Sequence, residues 1–419
     1  MAYPPPVSAA QPDRAGLVGS PAARPASYGR LLRSPGFAPL LSSALLSRTA
    51  VQLWAIATVL FALQRYHSAS VAGLSIFLLI FPGLVLSPVN GALLDRFGRT
   101  RLMMLDLSVA AACVGTIAAL AAAGRLPVWL LLLILAAGSL TSTLSVAGAR
   151  SLFPLLVDRE LWDRANAADS LCYAVAQIAG PALAGLLTAR FGSEWALTAA
   201  GIAFVVAATS LRGIREPYVR DRQERLLWSE ALHGVRYVLS NRTLRWLAVS
   251  LSVGNAGWGM VLVALPLLVF RLHGNAAVVG GLFALQGVVG IPATLLAGRM
   301  NTNTRERGII ALCSVVVALA TLALLIPALT VVAIALACAG IAEGPMNVSL
   351  FSLRQRRTPP AWFGRAFAIS MSLNFAGMPL GSALSGPILG VSITLAIVVA
   401  AALAAFQGII ALTLVPSRA

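Results

Sequence analysis

Charged groups are scarce in this chain, and the few that fall inside long apolar runs are the ones that could do chemistry. Glu343 stands in the middle of one run, flanked by Gly340, Gly344, Pro345 and Asn347. Inserting an ionisable side chain there costs at least about 2.5–3.5 kcal/mol, which makes it a functional candidate by default. A carboxyl so placed can load and release a proton, and Glu343 is the first candidate for proton coupling. It can equally pair with an arginine or cap a helix loosened by its glycines and proline. Asp169, about one turn into another run, is the second candidate. Asp106 lies at a similar depth, and for both aspartates pairing with a loop arginine is the alternative reading. Arg48 lies about three turns into the first run, too deep to snorkel easily, so it pairs with an acid or binds an anionic substrate group. Gln52 is one turn further along the same face. Asn255, Trp258, Gln286 and Asn374 complete a candidate cavity lining with Arg48 and Gln52. Trp258 stands among Gly254, Gly257 and Gly259, where it either stacks on a flat ligand or fills the gap the glycines leave.

Enzyme chemistry finds no comparable set. No paired carboxylates, nucleophile triad or phosphate loop is in evidence. Cys113, Cys172, Cys313 and Cys338 lie in apolar runs without metal-site or disulfide spacing. His67, His233 and His273 fall at edges or in loops and take no role. The expectation is a protein that is not an enzyme, with no cofactor and no metal.

The elements that position these residues must tolerate apolar surroundings. Of 419 residues, 58% are hydrophobic and 11% charged, whereas soluble domains carry about 25% charged residues. Twelve apolar runs lie at roughly 39–63, 71–94, 102–123, 127–149, 164–189, 195–211, 244–270, 277–298, 308–327, 330–352, 366–390 and 391–415. A helix of about 20 residues crosses a hydrocarbon core. The formal net charge is +17 and every basic residue is arginine. On a soluble chain this would point to nucleic acid; here the arginines lie in loops. With both termini cytoplasmic, the interior segments hold 26 of the 31, and the outer loops hold Arg65, Arg125, Arg190 and Arg271. That is the positive-inside pattern of a multi-pass membrane protein, and no nucleic-acid partner is expected. No secretory signal is visible.

Five segments follow. Residues 1–38, rich in Pro, Ala and Arg, read as a disordered cytoplasmic tail. Residues 39–211 form a first six-span bundle and 244–415 a second. Between them, 212–243 is a cytoplasmic linker whose stretch 222–239 could lie as an amphipathic helix on the membrane. Residues 416–419 form a cytoplasmic C-terminus. The two halves echo one another: Arg150…Pro154 closes run 4 as Gln355…Pro359 closes run 10, and Gly180-Pro181 in run 5 matches Gly377-Met378-Pro379 in run 11. Parallel repeats about an axis along the membrane normal account for this.

Between runs 2 and 3 stands a charged hairpin with Gly91, Leu93, Asp95, Arg96, Gly98, Arg99 and Arg101. Asp95 sits at a helix C-terminus, where the macrodipole disfavours a carboxylate by about 0.3–1 kcal/mol, so a partner elsewhere is expected. Gly91 and Gly98 would permit a sharp turn and close approach. The hairpin resembles the G-x-L-x-D-R-x-G-R motif of the major facilitator superfamily, with Thr100 in place of the usual basic residue. The resemblance implies an all-α membrane protein of twelve transmembrane helices in two pseudo-symmetric six-helix bundles. It also implies that Asp95 meets the cytoplasmic start of span 11 near Arg365, as a gate built from Gly91, Asp95, Arg96, Gly98, Arg99 and Arg365.

Ala149, Arg150, Leu152, Pro154, Val157, Glu160, Ala165, Asn166 and Ala167, with Gln355, Pro359, Gly364 and Arg365, resemble the pattern of the branch holding the macrolide-efflux proteins and enterobactin exporters, twelve-span drug:proton antiporters. This resemblance implies a monomeric, proton-coupled exporter of bulky amphipathic compounds in a bacterial inner membrane, in contact with membrane lipids. Asp106 matches a position commonly acidic in that branch. Two departures stand out. The acid usual in span 1, shortly after an Arg, is missing from Arg48-Thr49-Ala50-Val51-Gln52. The antiporter signature of span 5 survives only as Gly180-Pro181 and Ala184-Gly185. Both departures keep open an alternative, a lipid, lysolipid or metabolite transporter, facilitator or importer, without proton coupling.

Overall fold

The computed structural model describes residues 27–214, 216, 235–300, 302–358 and 363–416, with the backbone alone for 363–368. Its regular structure, among these residues, is helical. Spans 1 to 3 are Phe37–Tyr66, Ala69–Phe97 and Arg99–Ala122. Span 4 comes in two pieces, Val128–Ser139 and Thr143–Leu156, and spans 5 and 6 are Trp162–Phe191 and Ser193–Ser210. Spans 7 to 10 are Arg242–Arg271, Ala276–Ala297, Glu306–Ala323 and Leu329–Arg356. Span 11 comes in two pieces, Phe363–Phe375 and Gly377–Val391, and span 12 is Ile393–Thr413. Eleven spans are single stretches long and apolar enough to cross a membrane, with span 4 counted whole. Span 11 falls short because the break at Ala376 leaves pieces of 13 and 15 residues.

Local chemistry sets the hairpins. Ser68 and Asn275 cap spans 2 and 8 by accepting the N–H of Val71 and Val278. Gly98 and Gly192, at φ +91° and +98°, turn the chain between spans 2 and 3 and between spans 5 and 6 in a backbone region open to glycine.

Packing repeats across the two halves. Span 1 packs on spans 5 and 6, span 2 on span 4, and span 3 on span 6. In the second half span 7 packs on 11 and 12, span 8 on 10, and span 9 on 12. The halves join through span 5 against span 8 and span 2 against span 11. Both joints use residues without bulk. A Cβ on Gly185 would lie 2.8 Å from the Cα of Gly280, and one on Gly73 would lie 2.1 Å from the Ser382 carbonyl oxygen. These residues belong to the end of the molecule away from the arginine-rich loops. Buried side chains from both halves form one continuous apolar core.

The tail differs from expectation. Residues 28–32 form a short helix whose Leu31 is fully buried, and Arg30 pairs with Asp158 at 2.9 Å and Glu160 at 3.2 Å in the span 4–5 loop. Those acids are two of the few charges in that loop, and they draw Tyr28–Leu32 down onto it. Residues 1–26 and most of the expected linker helix, 222–234, lie outside the described residues; 235–240 are helical.

Candidate transport pathway and gate

Arg48 sits eleven residues into span 1, about 16 Å along the helix. Its Nη2 donates to Asp169 Oδ1 at 2.6 Å and its Nη1 to the Asp169 carbonyl at 3.0 Å. The guanidinium lies 3.6 Å over the Tyr173 ring, and that of Arg150 lies 5.3 Å from the same ring. Both members of the ion pair are nearly withdrawn from solvent, at 7% and 13% exposure. Asp169 therefore does not pair with a loop arginine: span 5 begins at Trp162, which puts the carboxylate two turns deep, level with Arg48. Span 5 closes on span 1 just beyond, where a Cβ on Gly180 would come within 2.4 Å of Gln52 Cβ. Gln52 is half-buried against that glycine.

The second half builds its interior from amides and one carboxyl. Asn255 Nδ2 donates to Asn374 Oδ1 at 2.7 Å and to the Asn374 carbonyl at 3.1 Å, joining spans 7 and 11. Trp258 meets Phe283 edge-to-face at 6.0 Å, so its indole packs between spans 7 and 8. Glu343, midway along span 10, has its carboxyl facing the side-chain amides of Gln286 and Asn347. Gln286 stands where span 8 meets both its neighbour and the other half. A Cβ on Gly340 would strike its carbonyl at 2.3 Å, and a Cβ on the adjacent Gly287 would meet Ile178 of span 5 at 2.8 Å. Glu343 thus occupies a polar niche beside the junction of the halves. Among the described residues no group of three His, Cys, Asp or Glu gathers to hold a metal.

Asp106 is not paired with a loop arginine either. It is buried in span 3, accepts the Ser145 N–H at 3.1 Å, and also takes the Ser145 hydroxyl. Ser145 is the third residue of the second piece of span 4, so Asp106 caps that helix from outside. Asn90 donates to the Leu140 carbonyl at 2.9 Å and Thr143 Oγ1 at 2.7 Å across the same break. The polar run Ser139, Thr141, Ser142, Thr143 was the available signal for this interruption.

At the hairpin, Arg99 is the hub. It donates to Asp95 at 3.1 Å, to Ser151 at 3.0 Å and to Glu216 at 3.1 Å. Glu216 also accepts the backbone N–H of Arg99 at 2.8 Å and of Thr100 at 3.3 Å, capping span 3 where Gly98 offers no side chain. Asp95 itself is 69% exposed and is paired within its own hairpin by Arg99; the side chains at the start of span 11 lie outside the described residues. Among the described residues, the close glycine joints between halves lie at the other end of the molecule. Arg96 is exposed and flanks Phe97. Among the described residues nothing lies within 4 Å of where a Cβ on Gly91 would stand. The Arg365 side chain lies outside the described residues. Sequence reasoning missed Glu216, and it missed Glu306, which is buried at the start of span 9 and pairs with Arg356 from the end of span 10. Neither belongs to an apolar run, so burial was not readable from their surroundings.

Comparison with known proteins gives this architecture its place. The chain is 37% identical over 403 residues to an uncharacterized MFS-type transporter, y4rN, of Sinorhizobium fredii, covering 94% of this chain and 98% of the other. It is 28% identical to the multidrug efflux pump Tap of Mycobacterium tuberculosis, over 78% of this chain and 80% of the relative. It is 27% identical to the enterobactin exporter EntS of Citrobacter koseri, over 84% and 85%. Among solved structures, the nucleoside transporter NupG superposes with a TM-score of 0.72 at 12% identity, covering 90% of this chain and 98% of that one. A bacterial homologue of the iron transporter ferroportin in its inward-facing state reaches 0.68 at 17% identity, over 90% and 98%. With residues 40–382 matching the family model as well, the chain belongs to the Major Facilitator Superfamily.

Proposed function

We propose that this protein exports bulky amphipathic compounds by alternating access, driven by protons entering through Glu343. It lies in a bacterial inner membrane with both termini and the arginine-rich loops on the cytoplasmic side, as the arginine distribution supports. The carrying observation is Glu343 itself, a carboxyl in mid-span beside the junction of the halves and faced by neutral amides. The Tap and EntS similarities support an export role. In the arrangement seen, the halves meet closely through glycine and serine at the end away from the arginine-rich loops, which supports reading it as the form closed to the outside. In the opposite form Asp95 exchanges Arg99 for the start of span 11, and the cytoplasmic end closes.

The test takes a compound identified by susceptibility profiling of deletion and overexpressing strains, and follows its accumulation in proteoliposomes under an imposed pH gradient. Glu343→Gln should abolish accumulation against a gradient while leaving folding intact. A variant that still concentrates the compound removes Glu343 from coupling.

A further inference from the structure

Spans 3 and 6 are in contact at Gly201, where a Cβ would stand 3.8 Å from the Ala111 carbonyl and from the N of Gly115. Toward the arginine-rich end the two helices leave a groove of about 410 Å3, lined by Met104, Ser108 and Ala112 on one side and Ala208, Thr209 and Arg212 on the other. Ser108, Ala112, Thr209 and Arg212 are all exposed, so the groove opens outward, away from the core. Its walls are apolar apart from two hydroxyls, and that of Thr209 is bonded back to the Val206 carbonyl at 2.9 Å. No carboxylate lines it.

Among the described residues no carboxylate pairs with Arg212. Glu216, four residues on, is already held by Arg99 and the N–H groups that begin span 3. An occupant must therefore be apolar along its length and anionic at one end, and it must reach the groove from the hydrocarbon. A membrane lipid with an anionic headgroup has that form, and basic pockets between spans select such headgroups. We propose that this groove seats an acyl chain of an anionic phospholipid, with the headgroup phosphate on Arg212. The headgroup then lies four residues from Glu216, which clasps the start of span 3. This inference does not depend on the exporter reading.

The test uses the full-length protein in phosphatidylcholine bilayers, doped with spin-labelled phosphatidylglycerol or spin-labelled phosphatidylcholine. The motionally restricted fraction gives the relative association of each. Phosphatidylglycerol should be preferred by the unaltered protein. Arg212→Gln should reduce that preference about fivefold, the effect of one arginine near a membrane surface. Arg212→Lys should keep it, which separates charge from misfolding. Ala112→Trp, which fills the groove, should lower phosphatidylglycerol association with no change of charge. The proposal is overturned if the unaltered protein shows no preference or if Arg212→Gln retains it. It is equally overturned if Ala112→Trp has no effect, or if Arg101→Gln rather than Arg212→Gln abolishes the preference.

Discussion

The two halves clip corresponding helices together with different chemistry. In the first, span 1 is tied to span 5 by Arg48 and Asp169. In the second, span 7 is tied to span 11 by Asn255 and Asn374. The repeat clips the same pair of helices, but about two turns apart along them, since Asp169 lies eleven residues before Gly180 and Asn374 three before Gly377, and it has changed the charge of the clip. A buried ion pair gains little over well-packed apolar residues, yet losing one partner strands a charge. A buried amide pair, if broken, leaves only an unmet hydrogen bond. The first half is thus the more brittle one, and the second keeps a lone carboxyl, Glu343, free to change its charge without unmaking a clip.

The largest effect should come from breaking the charged clip alone. Asp169→Asn leaves the Arg48 guanidinium buried without its counter-charge and should cost about 3–5 kcal/mol, read as a lowered unfolding temperature in detergent. The apolar double replacement Arg48→Met with Asp169→Leu should recover most of the loss. If the single variant is as stable as the parent, the clip is not what holds these spans. Asn255→Ala should cost less, about 1–3 kcal/mol, because the Asn374 acceptor is left unmet in a buried position. A loss matching that of Asp169→Asn would erase the distinction between the halves. Smallest in stability is Asp95→Asn, which removes one exposed ion pair worth a few tenths of a kcal/mol. Its effect belongs in transport: export should collapse while the unfolding temperature holds, and full export by this variant would remove the hairpin from the gate.

Much of the fold could be read because membrane insertion leaves a coarse imprint. A run of apolar residues long enough to span can do little else, and the expected runs match the observed spans to within several residues. Where the reading failed, a polar group had found an unforeseen partner. Span 4 was read as continuous because Leu131 and Leu135 before the break and Leu144 and Leu152 after it look alike. Asp106 and Asn90, from neighbouring helices, stabilise the interruption. Asp169 was placed about half a turn too shallow because Trp162 and Asp163 read as loop, although they are helix.

The candidate site divides the same way. Arg48, Asp169, Glu343, Asn255 and Asn374 were recognisable as polar groups in apolar spans, since each is too costly to keep there idle. Which of them meet was invisible, because partners lie 121 and 119 positions apart along the chain. Glu216 and Glu306 had no such marker, being ordinary loop acids until the fold turned them onto helix starts.

The amino-acid order alone determined how many times this chain crosses a membrane, that it does so as two repeats, and which end gathers the arginines. Those properties follow from local hydropathy and charge, which act residue by residue. Tertiary structure decided that Arg48 spends its charge on Asp169, that Asp95 pairs with Arg99, and that Glu343 faces the amides of Gln286 and Asn347 beside the junction. Those outcomes depend on distances of a few ångströms between helices remote in sequence, set by where glycine permits two backbones to touch.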